Sequence, residues 1–485
     1  MVHRVHSCVF WGLAALVVLA PLPLGSNRPW AWFLLATGVG GLLALWFAGM
    51  ALAGRPQPVP AQRFRVALIL FAYVCVWAAV QWAPWTPTSW HHPIWADARP
   101  LLGPDLAGRI SVNPEQTLVA LIRLFCYGGV FWLSLQLGCG LERARRGLRL
   151  IVYAGALYAL YGVFVQFSGS ETILWMDKWA YRGMLTSTFV NRNSYATYAG
   201  LTLVCAAALF LKEFEDVSSA NVPARVKVRF FVERLFGSAA PLFVAMLIII
   251  TALLLTGSRA GTLSTLLGLL ALALTTLRGR ALAARRAGVL SLLLFLVGAA
   301  VFSMSGDKLA ERLARSEAGE VTGRGRGAVY AIVVRALGDA PLLGTGYGSF
   351  RDVFPLYRDA SVDDLLVWDK AHSTYLENAL ELGIPAATAL CGAVLSCARC
   401  CWLGIRQRRR NRIYPAIGVA TTALVAVHST VDFSLQIPAV SVTYAFILGV
   451  ACAQSFPTRD LRGNRSSLAS RLTPQSSLEP NALLG

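Results

Sequence analysis

Charge is scarce in this chain. Only 14% of its 485 residues are Asp, Glu, Lys or Arg, and acids number 25 against 44 Lys and Arg. A soluble domain carries about 25% charged residues, so a soluble globular class is excluded. No acidic pair with D-x-D spacing stands in a connection expected outside the membrane. Asp363 and Asp364 are adjacent but unsupported. That leaves no recognisable ligand set for a divalent metal, and the expected chemistry needs neither metal nor other cofactor. The alternation of a β-barrel is missing, which leaves α-helices as the spanning element. No small-x-small cleavage site follows the first apolar run, so it reads as an uncleaved anchor. There are ten cysteines, none in an expected external connection, and no disulfide framework is predicted. Cys397, Cys400 and Cys401 cluster at a helix end without the second ligand pair that zinc requires. Internal repeats are also missing, whereas a secondary transporter is expected to show related halves.

What the chain has is apolar length. It is 56% hydrophobic, with a mean hydropathy of +0.56. Apolar runs recur at the length that crosses about 30 Å of hydrocarbon. The expected fold is an all-α integral membrane protein of about twelve transmembrane helices. They fall near 8–25, 30–51, 66–82, 116–137, 148–168, 189–211, 238–256, 260–277, 286–304, 374–397, 413–433 and 437–454. One large polar segment, 305–372, interrupts them. Three parts follow: N-terminal helices with an external Trp-rich loop over 1–188, a membrane domain over 189–454, and a Ser- and Arg-rich cytoplasmic tail over 455–485, expected to be disordered.

The net charge of +19 is distributed over short connections. Those holding Arg55, Arg63 and Arg65, Arg143, Arg145 and Arg146, Arg225, Lys227 and Arg229, Arg278, Arg280, Arg285 and Arg286, and Arg406 to Arg410 alternate with connections poor in Lys and Arg. The positive-inside rule then puts both termini in the cytoplasm and 305–372 outside. Charge this scattered does not suit nucleic acid.

The candidate functional residues lie on the predicted external side. Asn191, Arg192 and Asn193 open a helix, where free N–H groups and the dipole favour anions, or where Asn simply caps. Arg259 sits in a minimal turn between two spans, placed to grip a phosphate bidentately. Arg324 and Arg326 follow in GRGRGAVY, ahead of Tyr330. Gly344, Gly346 and Gly348 either offer backbone N–H groups to a phosphate or close a tight turn. Arg123, inside the fourth span, meets either a phosphate or an acid such as Glu377. His372 stands at the mouth of the tenth span, with Glu377 and Glu381 on one helix face as candidates to orient it. His428 and Asp432 are likewise four apart at the end of the eleventh span. A histidine beside arginines and acids at a membrane mouth is a candidate general base.

Five segments carry a family resemblance: FVNRNSYATYAGL (189–201), GSRAG (257–261), GRGAVY with PLLGTGYGSF (325–350), HSTYLENALELGIP (372–385) and HSTVDFSLQIPA (428–439). In order, spacing and membrane placement the chain resembles the O-antigen ligases and polymerases, bacterial envelope glycosyltransferases of the GT-C type. The resemblance covers about 187–450, and the earlier spans match mainly in topology. It implies a multi-pass inner-membrane enzyme with one large periplasmic loop. Such enzymes move a glycan from undecaprenyl pyrophosphate to lipid A-core, to a growing polysaccharide or to a protein hydroxyl. It further implies that Arg259 and Arg326 contact pyrophosphate and that His372 lies at the reacting centre. Tyr330 departs from the family pattern, which has Trp there. A polymerase of the same family is the alternative, and a secondary transporter or a non-catalytic envelope scaffold represents other classes.

Overall fold

A computed structural model describes residues 2–215, 224–276, 323–362, 367–408 and 410–456. The apolar runs are helical, because a helix satisfies its own backbone groups in lipid. In chain order the elements are α1 (Val2–Leu19), α2 (Pro29–Leu52), α3 (Arg65–Trp82), α4 (Ile94–Leu102), α5 (Pro114–Leu137) and α6 (Leu141–Phe167). A minimal antiparallel hairpin, β1 (Thr172–Ile173) and β2 (Met176–Asp177), leads to α7 (Arg192–Glu213), α8 (Ala224–Phe236), α9 (Ala240–Leu255) and α10 (Arg259–Thr276). After these come α11 (Gly323–Asp339), α12 (Phe350–Tyr357), α13 (Thr374–Leu382), α14 (Ile384–Gln407), α15 (Ile413–His428) and α16 (Pro438–Ala453).

Among the described residues, seven helices are long and apolar enough to cross a membrane: α2, α3, α5, α6, α7, α10 and α14. The α8–α9 pair, bent by 67°, makes an eighth if it is one span. The described residues thus form a multi-pass helical membrane protein with seven or eight such helices among them; the expected twelve include one over 286–304, which is not among the described residues. The expected first, eleventh and twelfth spans fall on shorter apolar helices, Arg4–Leu19, Ile413–His428 and Pro438–Ala453. At 16 residues α15 covers about 24 Å, short of the hydrocarbon thickness. The expected span over 286–304 lies outside the described residues. So do Arg278, Arg280, Arg285 and Arg286, residues 305–322 and 363–366 of the expected polar segment, and the tail beyond Phe456.

Two expected spans need correction. The tenth does not run from 374: Gly383, at φ 78° and ψ 156°, breaks it into α13 and α14. Pro385 occupies the first turn of α14, where its missing N–H costs nothing. The eleventh stops at His428 rather than continuing to 433.

The centre of the bundle is α16, buried at every residue. It packs on α5, α7 and α15 through small residues. A Cβ on Gly449 would sit 2.2 Å from Ser134 Oγ, and one on Gly138 3.2 Å from Val450 Cα. Small side chains let helix backbones approach where water offers no hydrophobic drive. The main core draws on both sides of residue 188, from Val9 to Ala453.

Basic connections meet at one end of this bundle. Arg145 and Arg149 each bond Glu213 Oε1 at 2.9 Å, and Arg234 donates to the Glu213 carbonyl. Arg63 lies over the Phe456 ring at 4.6 Å, and Arg408 donates to the Phe456 carbonyl at 3.1 Å. A separate small core forms elsewhere. Val329, Ile332, Val333 and Ala336 of α11 pack on Phe350, Val353 and Phe354 of α12, with Trp368, Ala371 and Leu380. This core holds the segment that carries Arg326 and His372.

Candidate active site

Three helix beginnings converge at one cluster. At the start of α7, Asn191 is the N-cap: its Oδ1 accepts from the amides of Asn193 at 2.7 Å and Ser194 at 3.4 Å. Those two amides are thereby occupied, so α7 offers an anion its dipole rather than these N–H groups. The cap also fixes the side-chain amide, so Nδ2 points away and donates to the Tyr181 hydroxyl at 3.1 Å. Arg192 lies 5.8 Å from the centre of the Tyr181 ring.

At the start of α10, Ser258 precedes Arg259 and caps the helix, its Oγ accepting from Gly261 N at 3.2 Å. The same hydroxyl donates to Asn193 Oδ1 at 2.7 Å, which ties α10 to α7. Asn193 Nδ2 then faces Asp432 Oδ1 at 3.3 Å. Asp432 is fully buried and also accepts from the Ser434 hydroxyl. Deeper in the bundle, Thr197 Oγ1 lies 2.6 Å from His428 Nδ1. Arg259 itself is exposed at the helix start.

At the start of α13, His372 is held at φ 54°, a backbone region unusual for any residue but glycine. Tyr330 of α11 donates its hydroxyl to the His372 carbonyl at 2.8 Å. Thr374 donates through N to Ser429 O at 2.9 Å and through Oγ1 to Asp432 O at 2.9 Å. The imidazole stands edge-on between Phe433, 5.0 Å away, and Trp368, 5.8 Å away, and its Nδ1 has no hydrogen-bond partner. Burial and the charge of Arg326 pull its pKa down to about 4, against Asp432 and Asp369. The ring is therefore neutral at physiological pH. Arg326 reaches the same corner, its Nη1 donating to Val431 O at 3.4 Å.

The structure thus places Arg326, Tyr330, His372, Asn191, Arg192 and Asn193 around Asp432 and Tyr181. Sequence reasoning paired Asp432 with His428 by spacing and included it in HSTVDFSLQIPA, without giving it a role of its own. It passed over Tyr181, which stands in an aperiodic loop with no flanking signal. The side chain of Arg324 lies outside the described residues.

Other candidates sit apart from the cluster. Gly346, at φ 106°, gives its N–H to the Glu381 carbonyl at 2.9 Å, and its Cα faces Ser111 so closely that a Cβ would meet Ser111 Cα at 2.7 Å. The glycine turn therefore closes on α13, and this amide is not presented to a phosphate. Glu381 accepts from Phe350 N at 2.9 Å, and burial with the adjacent Glu377 pushes its carboxyl well above the ordinary range. Glu377, fully buried, binds Lys370 Nζ at 3.1 Å and Ala371 N at 2.7 Å. It does not pair with Arg123 or reach the His372 ring. It shapes the loop just before His372. Arg123 lies over the Trp32 ring at 5.0 Å. Among the described residues, no three His, Cys, Asp or Glu side chains gather closely enough to share a metal ion.

Residues 244–391 match the family model described as O-antigen ligase. Over that stretch the chain is similar to O-antigen ligases. That match takes in Arg259, Arg326, Tyr330 and His372, whereas Asn191 to Asn193, Tyr181 and Asp432 are brought to them by the fold. A comparison with curated proteins gives no match. The family is one of glycosyltransferase-type membrane enzymes that handle lipid-linked glycans and polysaccharides.

Proposed function

We propose that this chain transfers a glycan from undecaprenyl pyrophosphate to an acceptor hydroxyl on the periplasmic face of a bacterial inner membrane. The carrying observation is that Arg326 and the imidazole of His372 share one corner of the stretch similar to O-antigen ligases. The anomeric carbon–oxygen bond to pyrophosphate breaks, and a new one forms to the acceptor oxygen. The lipid pyrophosphate leaves with its charge held by Arg326 and Arg259, preorganised donors that need no metal. The acceptor proton passes to His372, which is neutral and able to take it. Lipid A-core is the favoured acceptor, and a growing polysaccharide chain is the polymerase outcome of the same chemistry. Both termini then lie in the cytoplasm, with the net basic end of the bundle facing inward.

The test uses purified protein with undecaprenyl-pyrophosphate-linked glycan and either lipid A-core or a second lipid-linked glycan. Transfer to lipid A-core is expected. Arg326→Ala should lower it on the order of a hundredfold, the scale of removing one fixed transition-state donor. Arg326→Lys should recover little, because an ammonium cannot grip a phosphate bidentately. Full activity in both variants removes the pyrophosphate clamp. Extension of the lipid-linked glycan without transfer to lipid A-core turns the reading to polymerase.

A further inference from the structure

Tyr181 stands where the arginines of the cluster meet, yet neither the five motifs nor the matched domain includes it. Its backbone is in the left-handed region, φ 56°, without being glycine. Among the residues of the cluster, His372 shares this feature at φ 54°. A bulky residue persists in that region only when its surroundings over-determine it, and such residues concentrate at functional sites. Several contacts fix Tyr181. Asn191 donates to the phenol oxygen, and the orientation of that amide is itself set by capping α7. Arg192 lies over the ring. Lys178, buried three residues earlier, anchors the loop by donating to Met184 O at 2.9 Å. The side chain is half-buried, so its hydroxyl is fixed but reachable.

The hydrogen-bond directions decide what the hydroxyl can do. Its oxygen accepts from Asn191, so its own proton remains to donate. Burial and Asp432 push the phenol pKa upward while Arg192 and Arg326 oppose them, so the group keeps its proton at physiological pH. A neutral donor beside two guanidinium groups suits an oxygen that gains negative charge during reaction. Building on the transfer proposed above, we infer that Tyr181 is a further donor-binding residue, its hydroxyl donating a hydrogen bond to the pyrophosphate of the lipid-linked glycan. The bond strengthens as the sugar–oxygen bond breaks and charge accumulates on the phosphate. No proton is transferred in the step.

Tyr181→Phe keeps the ring under Arg192 and removes only the hydroxyl. Turnover with the lipid-linked glycan should fall on the order of a hundredfold. Binding of undecaprenyl pyrophosphate, used as the probe, should weaken, with the melting temperature near that of the wild type. A second variant covers the case in which Tyr181→Phe folds poorly: 3,5-difluorotyrosine at position 181 keeps ring and hydroxyl but lowers the phenol pKa. Its turnover should collapse at a lower pH on the alkaline side than the wild type, a shift that a merely structural tyrosine does not produce. Wild-type turnover in Tyr181→Phe, or an unmoved alkaline limb in the fluorinated protein, overturns the inference and leaves glycan transfer standing. A wild-type protein that neither transfers glycan nor binds undecaprenyl pyrophosphate overturns both.

Discussion

At the residue scale the sharpest feature is the pKa of His372. A base must be unprotonated to accept the acceptor's proton. An unperturbed imidazole loses that form near about pH 6.5. Burial and Arg326 depress the folded value to about 4. Transfer should therefore hold through pH 6.5 and fall only as the pH approaches 4, provided the protein stays folded. The linked stability runs in the same direction. Below about pH 6.5 the unfolded chain takes up a proton that the folded chain refuses, so falling pH costs stability across the window down to about 4. A pH profile of kcat/KM beside a pH series of melting temperatures checks both, and an acid limb centred near 6.5 removes the buried neutral base. His372→Ala should lower kcat more than it weakens donor binding, because Arg326 and Arg259 are left in place. His372 also pays for its position. A non-glycine residue at φ 54° costs on the order of 1–3 kcal/mol, supported by Tyr330, Thr374 and the Glu377-held loop.

At the element scale the break at Gly383 positions the site. It separates α13, which carries the site at its start, from α14, which is long enough to span. A Cβ there would meet Leu342 O at 2.3 Å, and the backbone at φ 78° and ψ 156° is open to glycine almost alone. Gly383→Ala should destabilise the protein by about 1–3 kcal/mol, the cost of holding a side chain in that sparsely populated backbone region, with the clash added. Fusing α13 to α14 as one straight helix would draw Thr374 from Ser429 and Asp432, so transfer should fall together with the melting temperature. An active variant with wild-type melting temperature would mean the break is dispensable. Glycine identity here follows from space as well as dihedral angle, because Leu342, Gly344 and Gly383 backbones are in mutual contact.

At the scale of the whole molecule the two ends differ in kind. One end joins Arg63, Arg145, Arg149 and Arg408 to Glu213, Gln454 and Phe456. The helix starts of α7, α10 and α13 meet in the other cluster. Reporter fusions should accordingly read cytoplasmic at Arg145 and Arg408 and periplasmic at Ser361. A cytoplasmic Ser361 would place the His372 segment on the wrong side for a periplasmic glycan and remove the proposed reaction, whatever the other fusions show.

The sequence alone determined what depends on composition and local chemistry. Too few charges and recurrent apolar runs require helices in lipid, and Asn191 announced the start of α7 because a cap is a local bond. Its motifs brought forward Arg259, Arg326 and His372, since these lie in short stretches whose residues act on near neighbours. Where α13 ends was less legible: Gly383 and Pro385 are visible in the chain, but hydropathy reads through one glycine, and the break is enforced by Leu342 and Gly344 from another segment. The fate of the glycine turn was decided the same way, by Glu381 and Ser111 arriving from distant positions. Tyr181 carries no sequence signal toward Arg326, and Asp432, though it lies in the HSTVDFSLQIPA motif, has no spacing that pairs it with Arg326. Only the packing of α10 on α7 and α15, with α13 tied to Ser429 and Asp432, brings an aperiodic loop, a buried carboxylate and a neutral imidazole to one point, since contacts between remote segments are fixed by shape and burial rather than by spacing along the chain.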